Sequence, residues 1–333
     1  MPTTRSPYDL RMSASGGNKA IIAAFLANMG IAIAKFIAWG ISGSASMLAE
    51  AVHSVADSGN QLLLLLGGRK AKRMADSDHP FGYGRERYVY AFVVSIILFS
   101  IGGVFSIYEG VSKITDPHML TDWWIPVGVL LIAIGLESFS LRTAVRESNH
   151  VRLKGESWVS FVRHAKAPEL PVVLLEDIGA LLGLCFALFG VGMTVITGNP
   201  IFDALGTLMI GALLILIAIV LGIETKSLLV GEGASDADHH AIVAAIEDGD
   251  EIEKLIHVKT LYLGPDELLV AAKLGFAADR SLGDVARDIN TIEARVRKAV
   301  PIAKVIFLEP DIFRTELVGP QPTTDAIVLK SAD

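Results

Sequence analysis

Ionisable side chains lie inside apolar segments of this chain, where charge is costly to place. His53 and Asp57 are four residues apart in the apolar segment 45–68, so a helix would present both on the same face. They belong to a polar stripe about 160° wide, and its other members are Glu50, Ser54, Ser58, Asn60 and Gln61. Imidazole and carboxylate groups together are ligands that suit zinc and other borderline divalent cations. The spacing therefore predicts part of a divalent-cation site.

A second pair of carboxylates lies in the apolar segment 170–196. Glu176 and Asp177 are adjacent, so on a helix they point about 100° apart. At about 1.5 Å per residue, Asp177 and the turn that holds His53 and Asp57 fall at one depth in a membrane. These four side chains form the predicted metal site: His53, Asp57, Asp177 and Glu176. Glu176 is either a ligand or the partner of a ligand.

Small residues recur along the segment 170–196 and predict close packing against a neighbouring helix. They are Gly179, Gly183, Ala187 and Gly190. In the same segment, Cys185 is the single cysteine of the chain and cannot form an intrachain disulfide. We expect it to be a small buried hydrophobic residue.

Structural roles are the alternative for each of these polar groups. A buried histidine can bond a neighbour and an aspartate can hold a helix kink, but three ionisable groups at one depth favour a shared site. Glu137, in the segment 122–148, either helps the site or pairs with a basic residue such as Arg142, and we favour the pairing. Asp203 begins the last apolar segment, where the helix dipole stabilises a carboxylate.

Six apolar segments are long enough to hold these residues inside a membrane: 19–42, 45–68, 88–113, 122–148, 170–196 and 201–226. Apolar residues make up 52% of the chain, and the mean hydropathy is +0.50. Lysine and arginine cluster in the connections 69–87 and 142–166, which predicts six transmembrane helices with both termini cytoplasmic. The N-terminal segment 1–18 lacks a signal-peptide pattern, and the net charge of −7 gives no support for nucleic-acid binding.

The residues after the last apolar segment have the pattern of a small soluble domain. Two capping boxes predict the starts of helices: Ser235-x-x-Asp238 and Ser281-x-x-Asp284. Three segments have the pattern of strands: 254–263, 267–276 and one through 305–307. We therefore predict an all-α membrane domain of six helices at 19–230, and an α+β ferredoxin-like (αββαβ) cytoplasmic domain at 231–315. The tail at 316–333 is expected to be disordered.

Two motifs accompany this organisation. The first is Ser44-x-Ser46…Ala49-x-x-x-His53-Ser54-x-x-Asp57, and the second is Asp78-His79-Pro80-Phe81-Gly82-Tyr83-Gly84-Arg85. With the six helices and the αββαβ domain, they resemble the cation diffusion facilitator family of divalent metal transporters, over about residues 18–311. The resemblance implies a homodimer that exports zinc, or iron, manganese, cobalt or cadmium, in exchange for protons. No prosthetic group is expected, because the metal is the transported substrate.

One position departs from the family pattern, in which two ligands on helix two meet two on helix five, each pair four residues apart. Asp177 matches the second helix-five position, but Val173 occupies the first and cannot ligate. In this the chain resembles the branch that contains the mitochondrial zinc transporter nine. The fourth ligand is then Glu176, water or a helix-two residue. In the C-terminal domain only His257 matches a family ligand position, so we expect weak or absent metal binding there and a role in dimerisation.

The predicted function is therefore export of a divalent transition-metal cation, zinc foremost, by alternating access and proton antiport. Metal ligation needs deprotonated ligands, and histidine is the natural proton carrier near neutral pH. Manganese, iron or cobalt are alternative substrates, and a non-transporting membrane regulator or scaffold is the alternative from another class. The sequence contains neither a phosphate-binding glycine loop nor a nucleophile motif, so an enzyme is not predicted. Without a transit peptide, the chain is expected in a bacterial plasma membrane.

Overall fold

The computed structural model describes residues 18–152 and 155–312, with side chains from residue 28 onward. These residues form two compact units. A helical unit contains the chain up to Ser77 and from Arg85 to Leu229, and a second unit contains Asp78–Gly84 and the residues from Val230. The predicted disordered tail and nearly all of the predicted N-terminal segment lie outside the described residues.

The helical unit contains long helices that match the predicted apolar segments to within a few residues. In the described chain they are α1 Asn18–Ser42, α2 Ala45–Lys70, α3 Glu86–Thr115, α4 Trp124–Val151, the short α5 Trp158–His164, α6 Glu169–Thr197 and α7 Ile201–Val230. Helix α3 contains a π-helical stretch at Leu98–Val104. Among the described residues, four helices are long and apolar enough to cross a membrane, namely α3, α4, α6 and α7.

Close contact between α6 and α7 follows from the small residues predicted to line α6. A Cβ added at Gly190 would lie 2.9 Å from the Phe202 carbonyl oxygen, and one at Gly179 would lie 2.7 Å from Ile217. Larger residues would therefore separate the two helices. Helix α2, which carries the polar stripe, packs against α1, α3 and α6. The buried apolar core around it includes Met47, Val94, Leu98, Leu130, Leu184, Ile210 and Leu214.

The start of α2 is fixed by the carboxylate of Asp203. The Ser44 hydroxyl donates to Asp203 Oδ1 at 2.7 Å, and the Ala45 amide donates to Oδ2 at 2.7 Å. The Ser46 hydroxyl and amide also donate to Oδ1. Asp203 lies in the first turn of α7, as expected, but its carboxylate satisfies amide groups that the N-terminus of α2 leaves without intrahelical partners. The Ser44-x-Ser46 motif thus has a structural role.

Cys185 is exposed on the outer surface of the helical unit, so the prediction that it is buried was wrong. It lies two residues after Gly183, which is about 200° around the helix. Gly183 faces Glu50 and Ile210 on neighbouring helices, so the side of α6 that carries Cys185 points away from them. Leu182 and Phe189 are exposed on the same helix.

The second unit has the element order αββαβ. Its elements are α8 Asp236–Glu247, β1 Lys254–Gly264, β2 Glu267–Gly275, α9 Leu282–Ala299 and β3 Ala303–Asp311. The sheet order is β1-β2-β3, with β1 and β2 antiparallel and β2 and β3 parallel. Ser235 and Ser281 cap the two helices through their hydroxyl groups, as the capping boxes predict. The helices pack against each other and against the sheet.

The segment Asp78–Gly84, which connects two helices of the helical unit, belongs to the second unit. A Cβ added at Gly84 would lie 2.6 Å from the Leu263 carbonyl oxygen, so glycine permits this close backbone approach to the end of β1. The rings of His79 and Tyr83 stack with centroids 4.3 Å apart. Most of the second sequence motif is therefore part of the sheet-containing unit and packs against the end of β1.

Candidate metal centre

His53 and Asp57 form the centre of the polar stripe on α2. His53 Nε2 lies 3.4 Å from Asp57 Oδ2, one helical turn away, and the exposed fractions of the side chains are 1% and 16%. Among the described residues, neither ring nitrogen of His53 nor Asp57 Oδ1 has a hydrogen-bond partner. Since buried polar groups in folded proteins are normally hydrogen-bonded, these atoms are available to a ligand.

The π-helical stretch of α3 lies beside the His53 ring. A Cβ added at Gly102 would lie 3.8 Å from His53 Nδ1 and 3.1 Å from Leu214. Short π-helical stretches are frequent at functional sites. The π-helical stretch was not predicted from the sequence, in which its one signal is the adjacent pair of glycines Gly102 and Gly103.

Glu176 and Asp177 point toward different helices, as expected for adjacent residues. Asn60 Nδ2 on α2 donates to Glu176 Oε1 at 2.7 Å. Ser140 Oγ on α4 donates to Asp177 Oδ2 at 3.1 Å. Glu176 therefore faces the polar stripe of α2 directly, whereas Asp177 faces α4. Neither Ser140 nor the pairing of Asn60 with Glu176 was predicted from the sequence.

Two contacts align α2 with α6 around the predicted ligands. Glu50 Oε1 lies against Gly183, where an added Cβ would be 2.5 Å away, and Asn60 bonds Glu176. His53 and Asp57 lie between these contacts along α2, and the carboxylate of Asp57 is within electrostatic range of that of Glu176. Glu176 therefore lies near the His53–Asp57 turn, whereas Asp177 faces α4. In the part of the chain described, no three His, Cys, Asp or Glu side chains converge closely enough to hold one ion.

A small cavity reaches the stripe from the side of α1 and α4. It is lined by Asn28, Ile31, Ser54, Asp57 and Glu137. Glu137 lies within electrostatic range of Asp57, and Asp177 within range of Glu137. The basic group near Glu137 is Lys35, whereas Arg142 is exposed, so the suggested pairing with Arg142 was wrong.

A buried ion pair beside the stripe was missed in the sequence analysis. Lys35 Nζ on α1 donates to Glu50 Oε2 at 2.9 Å and to Ser54 Oγ at 2.7 Å. The exposed fractions of the Lys35 and Glu50 side chains are 1% and 0%. A lysine in the interior of an apolar segment is itself a signal, because such charges face the bundle interior and pair with a partner.

The second unit places a lysine opposite His257, the one residue of this domain that matches a family ligand position. Lys273 pairs with His257 in the register of β1 and β2, and its ammonium group lies 2.9 Å from Asp311 and 3.2 Å from Glu309. Hydrogen bonds to Asp311 and Glu309 hold the pKa of Lys273 above its ordinary value. An ammonium group therefore occupies the position between these carboxylates.

Comparison with known proteins places this geometry in a family. The model of the cation efflux transmembrane domain matches residues 21–230. The human mitochondrial proton-coupled zinc antiporter SLC30A9 is 32% identical over 262 residues, which are 78% of this chain and 46% of the relative. Metal tolerance protein C4 of Arabidopsis thaliana is 28% identical over 259 residues, 78% of this chain and 57% of the relative.

A more distant relative is the magnetosome protein MamM of Magnetospirillum gryphiswaldense, which is 25% identical over 235 residues, 68% of this chain and 67% of the relative. The chain spans about half the length of the human and Arabidopsis relatives. The family model covers well over half of the chain and includes all four predicted ligands. The chain is therefore a membrane protein that belongs to the cation efflux family, the cation diffusion facilitators, and resembles its SLC30A9-like branch.

Proposed function

We propose that this chain is an integral membrane transporter that moves a divalent transition-metal cation, zinc foremost, out of the cytoplasm in exchange for protons. The observation that carries the proposal is the His53–Asp57 pair, in which both ring nitrogens of His53 and Oδ1 of Asp57 are buried without a hydrogen-bond partner among the described residues. Burying such groups without partners is unfavourable, and a bound cation would satisfy them. A similar protein is named a proton-coupled zinc antiporter, which supports the same substrate.

The proposed ligands are His53 and Asp57 from α2 with Asp177 and Glu176 from α6. Because Glu176 faces α2 through Asn60, we propose it as the ligand that compensates for Val173. Asp177 bonds Ser140 instead, so it would have to turn from α4 toward α2 to join the ion. A modest shift of α6 relative to α2 would close the four groups around the metal and open them again.

Proton exchange follows from the chemistry of these ligands. Histidine and carboxylate groups bind a metal only when deprotonated, so a proton that arrives at the site competes with the metal. A proton gradient across the membrane can in this way drive release of the metal on one side. The cavity beside Asp57 and Glu137 is the proposed route by which water and protons reach the site.

Manganese is a second candidate substrate, supported by one observation. Carboxylates outnumber imidazole around Asp57, since Glu137 and Glu176 both lie within its electrostatic range. Oxygen-rich sites suit manganese, whereas imidazole suits zinc. The ratio of zinc to manganese transport therefore reports how many carboxylates take part.

The proposed architecture has six membrane spans, both termini in the cytoplasm, and a ferredoxin-like C-terminal domain that supports a homodimer. Helices α1 and α2 contain 25 and 26 residues, or about 37 to 39 Å of helix, which exceeds a hydrocarbon core of about 30 Å. The membrane domain is proposed at 19–230 and the C-terminal domain at 231–315. The location in a bacterial plasma membrane stays a prediction, and similar proteins carry mitochondrial names.

The test is uptake of zinc, manganese, iron and cobalt into proteoliposomes, each with and without a pH gradient. We expect wild type to take up zinc when the gradient is imposed, and Asp57→Asn to lose this uptake because a neutral amide replaces a ligating carboxylate. Glu109→Gln is the matched control, since Glu109 lies in α3 outside the proposed site, and it should transport zinc like wild type. Absence of flux for every metal, from protein shown to be folded and inserted, would favour the regulator or scaffold.

A further inference from the structure

Lys35 on α1 contacts the polar stripe of α2 at the N-terminal end of the stripe, where Glu50 lies. Its ammonium group bonds one carboxylate oxygen of Glu50 and the hydroxyl of Ser54, and Ser54 also lines the cavity beside Asp57. Removing two charges from water costs free energy that only short, well-placed hydrogen bonds offset. The Lys35–Glu50 pair is therefore a fixed feature of the helix bundle, held in place by these hydrogen bonds.

The surroundings of Lys35 are rich in carboxylates. Five of them lie in the interior of the helical unit: Glu50, Asp57, Glu137, Glu176 and Asp177. Lys35 is within electrostatic range of Glu50, Asp57 and Glu137, and also of His53. It thus behaves as a cation that is tethered to α1 and shared among groups that would otherwise attract a metal ion.

Glu50 would be a competent ligand without this lysine. It lies three residues before His53 on α2, which places it on the same side of the helix. Its second oxygen, Oε1, lies against α6 at Gly183 and has no hydrogen-bond partner in the described chain. A free Glu50 carboxylate would therefore add two oxygens at the edge of the proposed metal site.

We propose that Lys35 sets the metal preference of the site by holding Glu50 out of it, an inference that rests on the proposed transport function. With Glu50 bound to Lys35, the metal meets one imidazole and the three carboxylates of Asp57, Asp177 and Glu176, a mixed nitrogen and oxygen set that zinc accepts. With Glu50 released, an extra carboxylate enters, and an oxygen-rich set suits harder cations such as manganese. Lys35 is then a specificity-determining residue that acts through Glu50.

The test compares zinc and manganese in competition, by equilibrium binding to the purified full-length protein and by uptake into proteoliposomes. In Lys35→Met, we expect the preference for zinc over manganese to fall about 10-fold to 100-fold, the range typical for partners of metal ligands. The double variant Lys35→Met/Glu50→Gln should recover the wild-type preference, because the released group is no longer a carboxylate. A merely structural role for Lys35 would not produce this recovery.

Lys113→Met is the matched control. Lys113 is also a buried lysine of the helical unit, but its ammonium group donates to the Gly43 carbonyl oxygen at 2.9 Å. Its loss should leave the metal preference unchanged. An unchanged preference in folded Lys35→Met, with wild type binding zinc, would overturn the inference while leaving the proposed function intact. Failure of wild type to bind or transport any metal would remove both.

Glu50→Gln provides the test if Lys35→Met does not fold. In this variant Lys35 remains charged beside the site without its carboxylate, so affinity for zinc and for manganese should fall together and the preference for zinc should be kept. Unchanged affinity for both metals would show that the charge of Lys35 does not act on the site. A selective loss of manganese would show that Glu50 already ligates in wild type, and either result would overturn the inference.

Discussion

A lysine ammonium group pairs with carboxylate in both units, but in very different surroundings. Lys35 is 1% exposed and bonds one carboxylate, that of Glu50. Lys273 is 27% exposed and faces two carboxylates on β3. An ion pair out of water is expensive to break, because the remaining charge stays buried, whereas a pair open to water contributes little. The same chemical pair is therefore a structural constraint in the helical unit and a surface feature in the second unit.

The two units also differ in how completely their polar groups are paired. Every buried side-chain nitrogen or oxygen that lacks a hydrogen-bond partner in the described chain belongs to the helical unit. In the second unit, by contrast, Arg295 makes two hydrogen bonds to Glu251. Since orphaned buried groups are costly, the comparison favours the helical unit as the place of the proposed metal site.

The largest effect is expected at His53, whose removal eliminates the one imidazole of the proposed site. His53→Ala should lower zinc affinity by at least about 100-fold, at or beyond the loss seen when partners of metal ligands are mutated, and transport should lose its dependence on pH. Isothermal titration and proteoliposome flux measure the two. His257→Ala, in the second unit, should change neither. Transport that loses its pH dependence but keeps its rate would contradict His53 as a ligand.

A smaller but substantial effect is expected on stability at Asp203. Asp203→Ala removes the acceptor for two hydroxyls and for the backbone amides of Ala45 and Ser46, so we expect a loss of about 2 to 4 kcal/mol, more than one unsatisfied group costs. Thermal unfolding in detergent measures the loss, and hydrogen exchange should rise in the first turn of α2. Asp284→Ala, at an exposed cap of the second unit, is the control. Equal losses in the two variants would refute the difference between the units.

Little change is expected at Lys273. In Lys273→Met, transport should stay within about twofold of wild type, since a partly open salt bridge contributes little and the site lies in the other unit. The raised pKa of Lys273 means that its stabilising contribution is present at neutral pH and is lost only as pH rises past the ordinary lysine value. Metal flux of Lys273→Met should be measured in parallel with that of Lys35→Met. A large loss of flux in Lys273→Met would contradict the difference between the two lysines.

The smallest effect concerns the acid sensitivity of the second unit. The hydrogen bonds from Arg295 hold the pKa of Glu251 below its ordinary value of 4.5, so this carboxylate stabilises the fold above that value and its contribution is lost as pH falls through the lowered pKa. Arg295→Met removes the shift. Hydrogen exchange in α9 should therefore differ between the two proteins at neutral pH and converge as pH falls below about 4. A difference that widens in acid would contradict this assignment.

Spacing within one element was enough to predict how the proposed ligands are arranged on their own helices. The four-residue separation of His53 and Asp57 placed them one turn apart, and the adjacency of Glu176 and Asp177 predicted their divergence. The capping boxes at Ser235 and Ser281 were predicted for the same reason, since a cap is a contact between residues that are close in sequence.

Contacts between elements could not be predicted in this way. Lys35 and Glu50 are 15 residues apart, and Asp203 is 159 residues from Ser44, so their pairing depends on how helices pack. The burial of Cys185 failed as a prediction for a related reason. In a water-soluble protein the apolar side chains of a helix are mostly buried. In the helix bundle of a membrane protein, apolar side chains also lie on the outer surface of the bundle.

X-ray absorption at the zinc edge tests the central claim most directly, on full-length protein loaded with one zinc per chain. We expect a shell of nitrogen and oxygen ligands at about 2.0 Å with one imidazole and no sulfur. The imidazole signal should disappear in His53→Ala and persist in His257→Ala. A spectrum unchanged by His53→Ala would place the zinc elsewhere and contradict the proposed site between α2 and α6.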